Sequence, residues 1–222
     1  MDQIANEPFF ENYETKVECR YVIVSERLVI SKKVSTKLTI KNPDDKFMEE
    51  AKFLTPYRFS KIDFIKGKDL LKLKSFWLKA DNSPKRNIKD SILIDVESGE
   101  SSLYERTVRF RYQQIVDNLA TDLVFPFDNT LEIELEEDRI VPRNDTMYTK
   151  RIHLLTKKFS LEYSFPDFDG EISGSCFSSL STREKLKISQ SKDKKTLKIS
   201  TNSWFLPGDG IFIVAKRNNY LP

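Results

Sequence analysis

The 222-residue sequence predicts an all-β protein, mainly antiparallel, built as a β-sandwich of immunoglobulin-like general character with at most one or two short helices. Three observations predict it. Apolar residues recur at every second position, most cleanly in Leu131-Glu132-Ile133-Glu134-Leu135-Glu136, which is the period of a strand with one buried face. The apolar stock is rich in rings, 16 Phe and 8 Tyr against 3 Met, and rings suit a pleated surface. Clusters of Pro, Asn, Asp and Gly separate the alternating runs, as turns require.

The first residues, to about Tyr13, read as a flexible N-terminal arm (1–13), and 14–222 as one continuous β domain. A split near 81–101 into two β subdomains, or two closely packed sandwiches, is the alternative. Thr15 to Ser25 and Arg27 to Ile40 alternate around a bend at Glu26 and predict a long hairpin. Lys41-Asn42-Pro43-Asp44-Asp45 is a turn. The next stretch fits either a helical face (Phe47, Met48, Ala51, Leu54) or a strand through Phe59, and the strand is preferred. Strands follow at Tyr57 to Ile65 and Leu70 to Lys79, then the polar loop Asp81 to Asn87 and a short strand at Ser91 to Val96.

Tyr104 to Tyr112 alternates convincingly. After it, Gln113 to Asn118 fits a one- or two-turn helix, or else a turn leading to a strand at Thr121 to Phe125. Leu131 to Glu136 is a strand, and the charge-rich Glu137 to Asn144 reads as a long polar connection. Thr149 to Leu155, Phe159 to Phe165, Lys185 to Ser189, Thr196 to Thr201 and Ile211 to Lys216 complete the set. Ile211-Phe212-Ile213-Val214 is apolar on both faces, the mark of a central strand covered on both sides.

Chemistry is harder to find. His153 is the single histidine and sits between Ile152 and Leu154, so no imidazole pair exists for metal or proton duty. With 6 Gly and neither a P-loop nor G-x-G-x-x-G, the usual phosphate cradles are excluded. Asp167-Phe168-Asp169-Gly170-Glu171 faintly resembles the start of a calcium loop, but the closing Glu is missing, so it reads as a turn. Accordingly no catalytic residue, metal site or cofactor is expected.

Cys19 and Cys176 lie far apart, and the N-terminus has no basic head followed by an apolar stretch. A cytoplasmic protein that neither enters nor crosses a membrane is therefore expected. Lys+Arg of 37 against Asp+Glu of 34 is too balanced to announce nucleic acid, although a basic C-terminal third (Lys150 to Lys198) opposes the acidic stripe Glu132 to Asp138.

Candidate binding residues are rings and one guanidinium. Trp204 and Phe205 precede the turn Pro207-Gly208 and either plug one end of the sandwich or, if exposed, anchor a partner. Arg106 shares a strand face with Tyr104 and Tyr112. Phe127 and Phe168 follow the similar strand ends Phe125-Pro126 and Phe165-Pro166, where proline stops a ladder. The expected function is a non-catalytic recognition module for a protein partner. A nucleotide or nucleic-acid sensor using the basic C-terminal third is the alternative.

Overall fold

A computed structural model describes residues 8–42, 49–53, 57–59, 62, 65, 69–98, 106–113, 120–121, 123–177, 186–201 and 204–217. The first strands are β1 (Phe9–Val24), β2 (Arg27–Lys41), β3 (Glu49–Phe53), β4 (Tyr57–Phe59), β5 (Leu71–Ala80) and β6 (Arg86–Asn87). A 3₁₀ turn, Lys89–Ser91, leads to β7 (Ile92–Ser98), β8 (Arg106–Gln113), β9 (Ala120–Thr121), β10 (Leu123–Phe127) and β11 (Thr130–Pro142). The chain closes with β12 (Met147–Arg151), β13 (Phe159–Ser164), β14 (Gly170–Phe177), β15 (Lys187–Gln190), β16 (Thr196–Thr201) and β17 (Gly210–Arg217).

One eight-stranded sheet dominates, in the order β15-β16-β13-β1-β2-β11-β5-β6. Its ladders are antiparallel except for the parallel pair β1·β13, and it draws strands from both sides of the 81–101 segment. A three-stranded antiparallel sheet, β12-β17-β14, forms a second, smaller layer. Between β2 and β11 in sequence, β3 pairs β10, and β4-β8-β7 form a separate sheet to which β9 adds on β8.

Alternation explains how the layers meet. On β1, Tyr13, Thr15, Val17 and Cys19 are buried while Glu14, Lys16 and Arg20 are exposed. The buried face continues across Leu161 and Tyr163 of β13, Val34 and Leu38 of β2, and Leu131, Ile133 and Leu135 of β11. The small sheet packs its own buried face (Tyr148, Ile172, Ile211, Ile213, Ala215) toward this core, with the rings of Tyr148 and Tyr163 5.8 Å apart. The result is a sandwich of unequal layers.

Three expectations are corrected. Phe9 to Tyr13 are strand rather than arm, because β1 begins at Phe9 and pairs Phe9 with Lys41. A register shift between Phe10 and Asn12 lets both Phe10 and Tyr13 enter the core although they are three residues apart. That break in the period of two hides the start of the strand.

Glu137 to Pro142 is strand rather than connection, and Glu137 and Arg139 occupy core-face positions opposite Val34 and Lys32. Two charges there can be tolerated because they bond each other. Finally, β17 is central in its sheet but its second face is partly open, with Phe212 exposed, as described below.

The hairpin turn is also unexpected in its residues. Ser25 and Glu26 have φ of 47° and 62°, so the turn has positive φ at both central positions, the arrangement that matches the twist of paired strands. Pro207-Gly208 behaves as read: Gly208 has φ of 96°, and the Asp209 N–H donates to the Leu206 carbonyl at 3.0 Å. The proposed helix at Gln113 to Asn118 lies outside the described residues beyond Gln113, and so do Phe47 and Met48.

Candidate recognition surface

Three surfaces of the sandwich carry chemistry. The first is the seam between the layers. The Lys32 ammonium, 4% exposed, lies 3.3 Å from the Asp145 carboxylate and donates to the Met147 carbonyl at 3.1 Å, tying β2 to the start of β12. Close by in sequence register, Glu137 accepts from Arg139 through Oε1, while its buried Oε2 has no hydrogen-bond partner among the described residues.

The Lys150 ammonium sits 4.9 Å from the centre of the Tyr13 ring, and desolvation holds its amine below the usual lysine value. Burial raises the phenols of Tyr13, Tyr148 and Tyr163. The Cys19 thiol donates to the Tyr163 hydroxyl at 3.2 Å and is pushed up by burial to about 11. A thiol so placed stays protonated and is a packing group rather than a nucleophile.

The second surface is the polar outer face of the large sheet, which holds two adjoining depressions of about 310 and 500 Å³ that share Lys16 and Ser35. Its charges compensate one another across strands. Glu162 meets Lys198 at 2.9 Å and Lys16 at 3.3 Å, Glu134 meets Lys85 at 2.8 Å, and Asp138 meets Lys74 at 2.9 Å. Lys85 chiefly holds the Glu134 carboxyl below its ordinary value, and Lys198 does the same for Glu162. Exposed pairs of this kind contribute only about 0–1 kcal/mol each, and their main effect is to leave the face without a strong field of either sign.

The third surface is the outer face of the small sheet. On β17, Ile211, Ile213 and Ala215 point inward, so Phe212, Val214 and Lys216 point out. The registers place Met147 beside Val214 beside Ser173, and Thr149 beside Phe212 beside Ser175. One step further, Arg151 flanks Gly210, which flanks Phe177. A Cβ on Gly210 would lie 2.3 Å from the Phe177 ring and 2.6 Å from the Lys150 carbonyl. Glycine therefore lets that ring lie across the strand toward Arg151, whose guanidinium is 5.9 Å from its centre.

Met147, Val214, Phe212 and Phe177 thus form an apolar diagonal on an outward face, with Met147 56% and Phe212 36% exposed. The outward face of β17 is thus apolar and partly exposed among the described residues.

The sequence-derived residues separate into three outcomes. Trp204 is 43% exposed, with the Phe9 ring at 5.5 Å in an edge arrangement, and so meets the condition for a surface anchor. Phe205 is fully buried against Phe159, ring centres 5.3 Å apart, and is the plug at that end of the sandwich.

Phe127, the last residue of β10, and Phe168, between β13 and β14, are likewise core rings at 2% and 1% exposure, which removes all three from the set of anchors. The Arg106 backbone lies in β8 opposite Phe59 and Ser98, but its side chain is outside the described residues.

Part of the basic C-terminal third is engaged within the chain. Lys194 pairs with Glu171 at 2.6 Å, Lys198 with Glu162, and Lys195 donates to the Phe168 and Gly170 carbonyls. Those contacts leave less basic charge for phosphates. His153 is exposed, and desolvation together with Lys150 and Arg151 lowers its imidazole, keeping it neutral at pH 7.

Sequence reasoning missed Met147 and Phe177 because their placement depends on which strands flank β17. Phe212 and Val214 carry a signal, the double-sided apolar run, but that pattern equally fits a strand between two covering layers.

No protein-family model and no curated protein matches this chain. Among solved structures it is similar to the CBM3a-L domain with flanking linkers from scaffoldin cipA of the cellulosome of Clostridium thermocellum, at 10% identity and a TM-score of 0.31, over 59% of this chain and 68% of that one. It is also similar to an M1 zinc metallopeptidase from Deinococcus radiodurans, at 8% identity and a TM-score of 0.38. That match takes in 93% of this chain and spans 42% of the peptidase. The fold described above rests on this chain's own strands and registers.

Proposed function

We propose that this chain is a non-catalytic β-sandwich recognition module that binds another protein through the outer face of its three-stranded sheet. The observation that carries this reading is the outward exposure of Phe212 and Met147 on a sheet whose inward face is already fully occupied by core residues. Large rings on a rigid strand lose little entropy when covered, so they supply binding free energy efficiently. Trp204, exposed on the loop that enters β17, is a second anchor. Cytoplasmic residence is part of the proposal, supported by two cysteines that are both buried thiols.

The test is affinity purification of the tagged full chain from its native cells, comparing wild type with Phe212→Glu and Met147→Glu. The expected result is a protein partner recovered with wild type and lost with either variant while near-ultraviolet circular dichroism stays unchanged. A partner recovered equally with all three would remove this face from the reading.

A further inference from the structure

Resting on the protein-recognition reading above, we propose that the partner element is an amphipathic α-helix with acidic flanks, laid along the Met147–Val214–Phe212–Phe177 diagonal. The first argument is hydrogen bonding. β17 is already paired on both sides, by β12 and β14, so an incoming strand can add only at the edges of this sheet and not across its face. A helix satisfies its own backbone and needs only an apolar stripe to lie on, which is how open sheet faces are ordinarily covered.

The second argument is shape. From β12 across β17 to β14, over two steps of two residues, the diagonal is roughly 16 Å long. A helix matches that length with about 11 residues, three turns, and its side chains at i, i+3 or i+4 and i+7 face one stripe.

Charge supplies the third argument. Arg151 stands exposed at the Phe177 end of the stripe and Lys216 at the other. Glu171, the neighbour of Lys216 in register, is already paired with Lys194 at 2.6 Å. Basic ends with hydroxyl sides (Thr149, Ser173, Ser175) favour carboxylates beside the apolar residues of the visitor.

A second copy of this chain fits less well. Three strands by four rows cover roughly 300 Å², short of the ~800 Å² per partner of a stable interface. It would also bring the same basic groups.

The test uses fluorescein-labelled peptides of about 14 residues, three to four helical turns, titrated onto the full chain by fluorescence anisotropy. One peptide carries Leu at i, i+3, i+4 and i+7 with Glu elsewhere; the second replaces Glu by Lys; the third scrambles the first. The first peptide is expected to bind at least about tenfold more tightly than the other two. Phe212→Glu and Met147→Glu should each weaken it about tenfold or more, and Arg151→Glu about threefold or more, whereas Trp77→Ala on the opposite sheet should leave it unchanged.

Equal affinity for all three peptides, or binding insensitive to the Phe212 and Met147 variants, overturns the proposal. If no peptide binds while Phe212→Glu still removes the cellular partner, the helix assignment fails and the recognition reading survives. Dimerisation abolished by Phe212→Glu, read by sedimentation velocity, overturns the proposal in favour of a second copy. Phe212-dependent co-sedimentation with phosphatidylserine vesicles overturns it in favour of a lipid surface.

Discussion

Ile213 and Phe212 are sequential residues of one strand on opposite faces, and replacing each by Thr measures how much each face is covered. Ile213 is fully buried, and its Cγ1 packs 3.3 Å from the position a Cβ would take on Gly174. Ile213→Thr removes buried carbon and puts a hydroxyl among apolar atoms, which costs about 3 kcal/mol from the usual price of truncating a buried aliphatic and desolvating a hydroxyl.

Phe212 is 36% exposed, and Thr retains the strand preference of the site, so Phe212→Thr costs about 1 kcal/mol or less. With a urea dependence of about 2.5 kcal/mol per molar, the midpoints should fall by about 1.2 M and by no more than about 0.4 M, respectively. Equilibrium unfolding followed by tyrosine and tryptophan fluorescence reads both. Equal shifts would refute the claim that β17 has one covered and one open face, and a larger shift for Phe212→Thr would invert the orientation of the small sheet.

Two further outcomes follow from backbone geometry. Ser25 and Glu26 both hold left-handed φ without being glycine or asparagine, so Ser25→Asn combined with Glu26→Gly should stabilise the chain by about 1 kcal/mol and raise Tm by roughly 2–4 °C. No rise would mean the hairpin closes with another turn.

Asp81 accepts the backbone N–H groups of Asp128, Asn129 and Thr130 at 2.7 to 2.8 Å. Desolvation raises its carboxyl, but these bonds outweigh that and hold it below the ordinary value. Its stabilisation is therefore complete above the unfolded carboxyl pKa of about 3.9 and disappears as pH falls through the lower folded value. Asp81→Asn, which keeps the left-handed φ of 45° acceptable, should be less stable than wild type at pH 7, with the gap narrowing in acid. A gap independent of pH would assign the effect to something other than the charge.

The strands were legible wherever one face was buried and the other wet. Leu131 to Glu136 and Phe159 to Ser164 alternate because the core takes every second residue, and the long hairpin was readable for the same reason. Three things were not. Strand direction leaves no trace in a period of two, so the parallel β1·β13 pair looks like any other.

Charges at core positions imitate loops: Lys32 is matched by Asp145, brought from elsewhere in the chain, and Glu137 and Arg139 bond each other two residues apart. Exposure of a double-sided apolar strand cannot be read locally either: Phe212 and Ile213 are equally hydrophobic, and only the assembled layers decide which of them meets solvent. The same non-locality divided the rings, since Trp204 stays outside while its neighbour Phe205 goes in.

The central claim, that the outer face of the small sheet receives a protein, is tested most directly by placing a photo-reactive benzoylphenylalanine at position 212 and, in a second chain, at position 77 on the opposite face. After illumination in native cells and mass spectrometry of the products, the account predicts a discrete protein adduct from position 212 and none from position 77. An adduct formed from position 77 alone would contradict it.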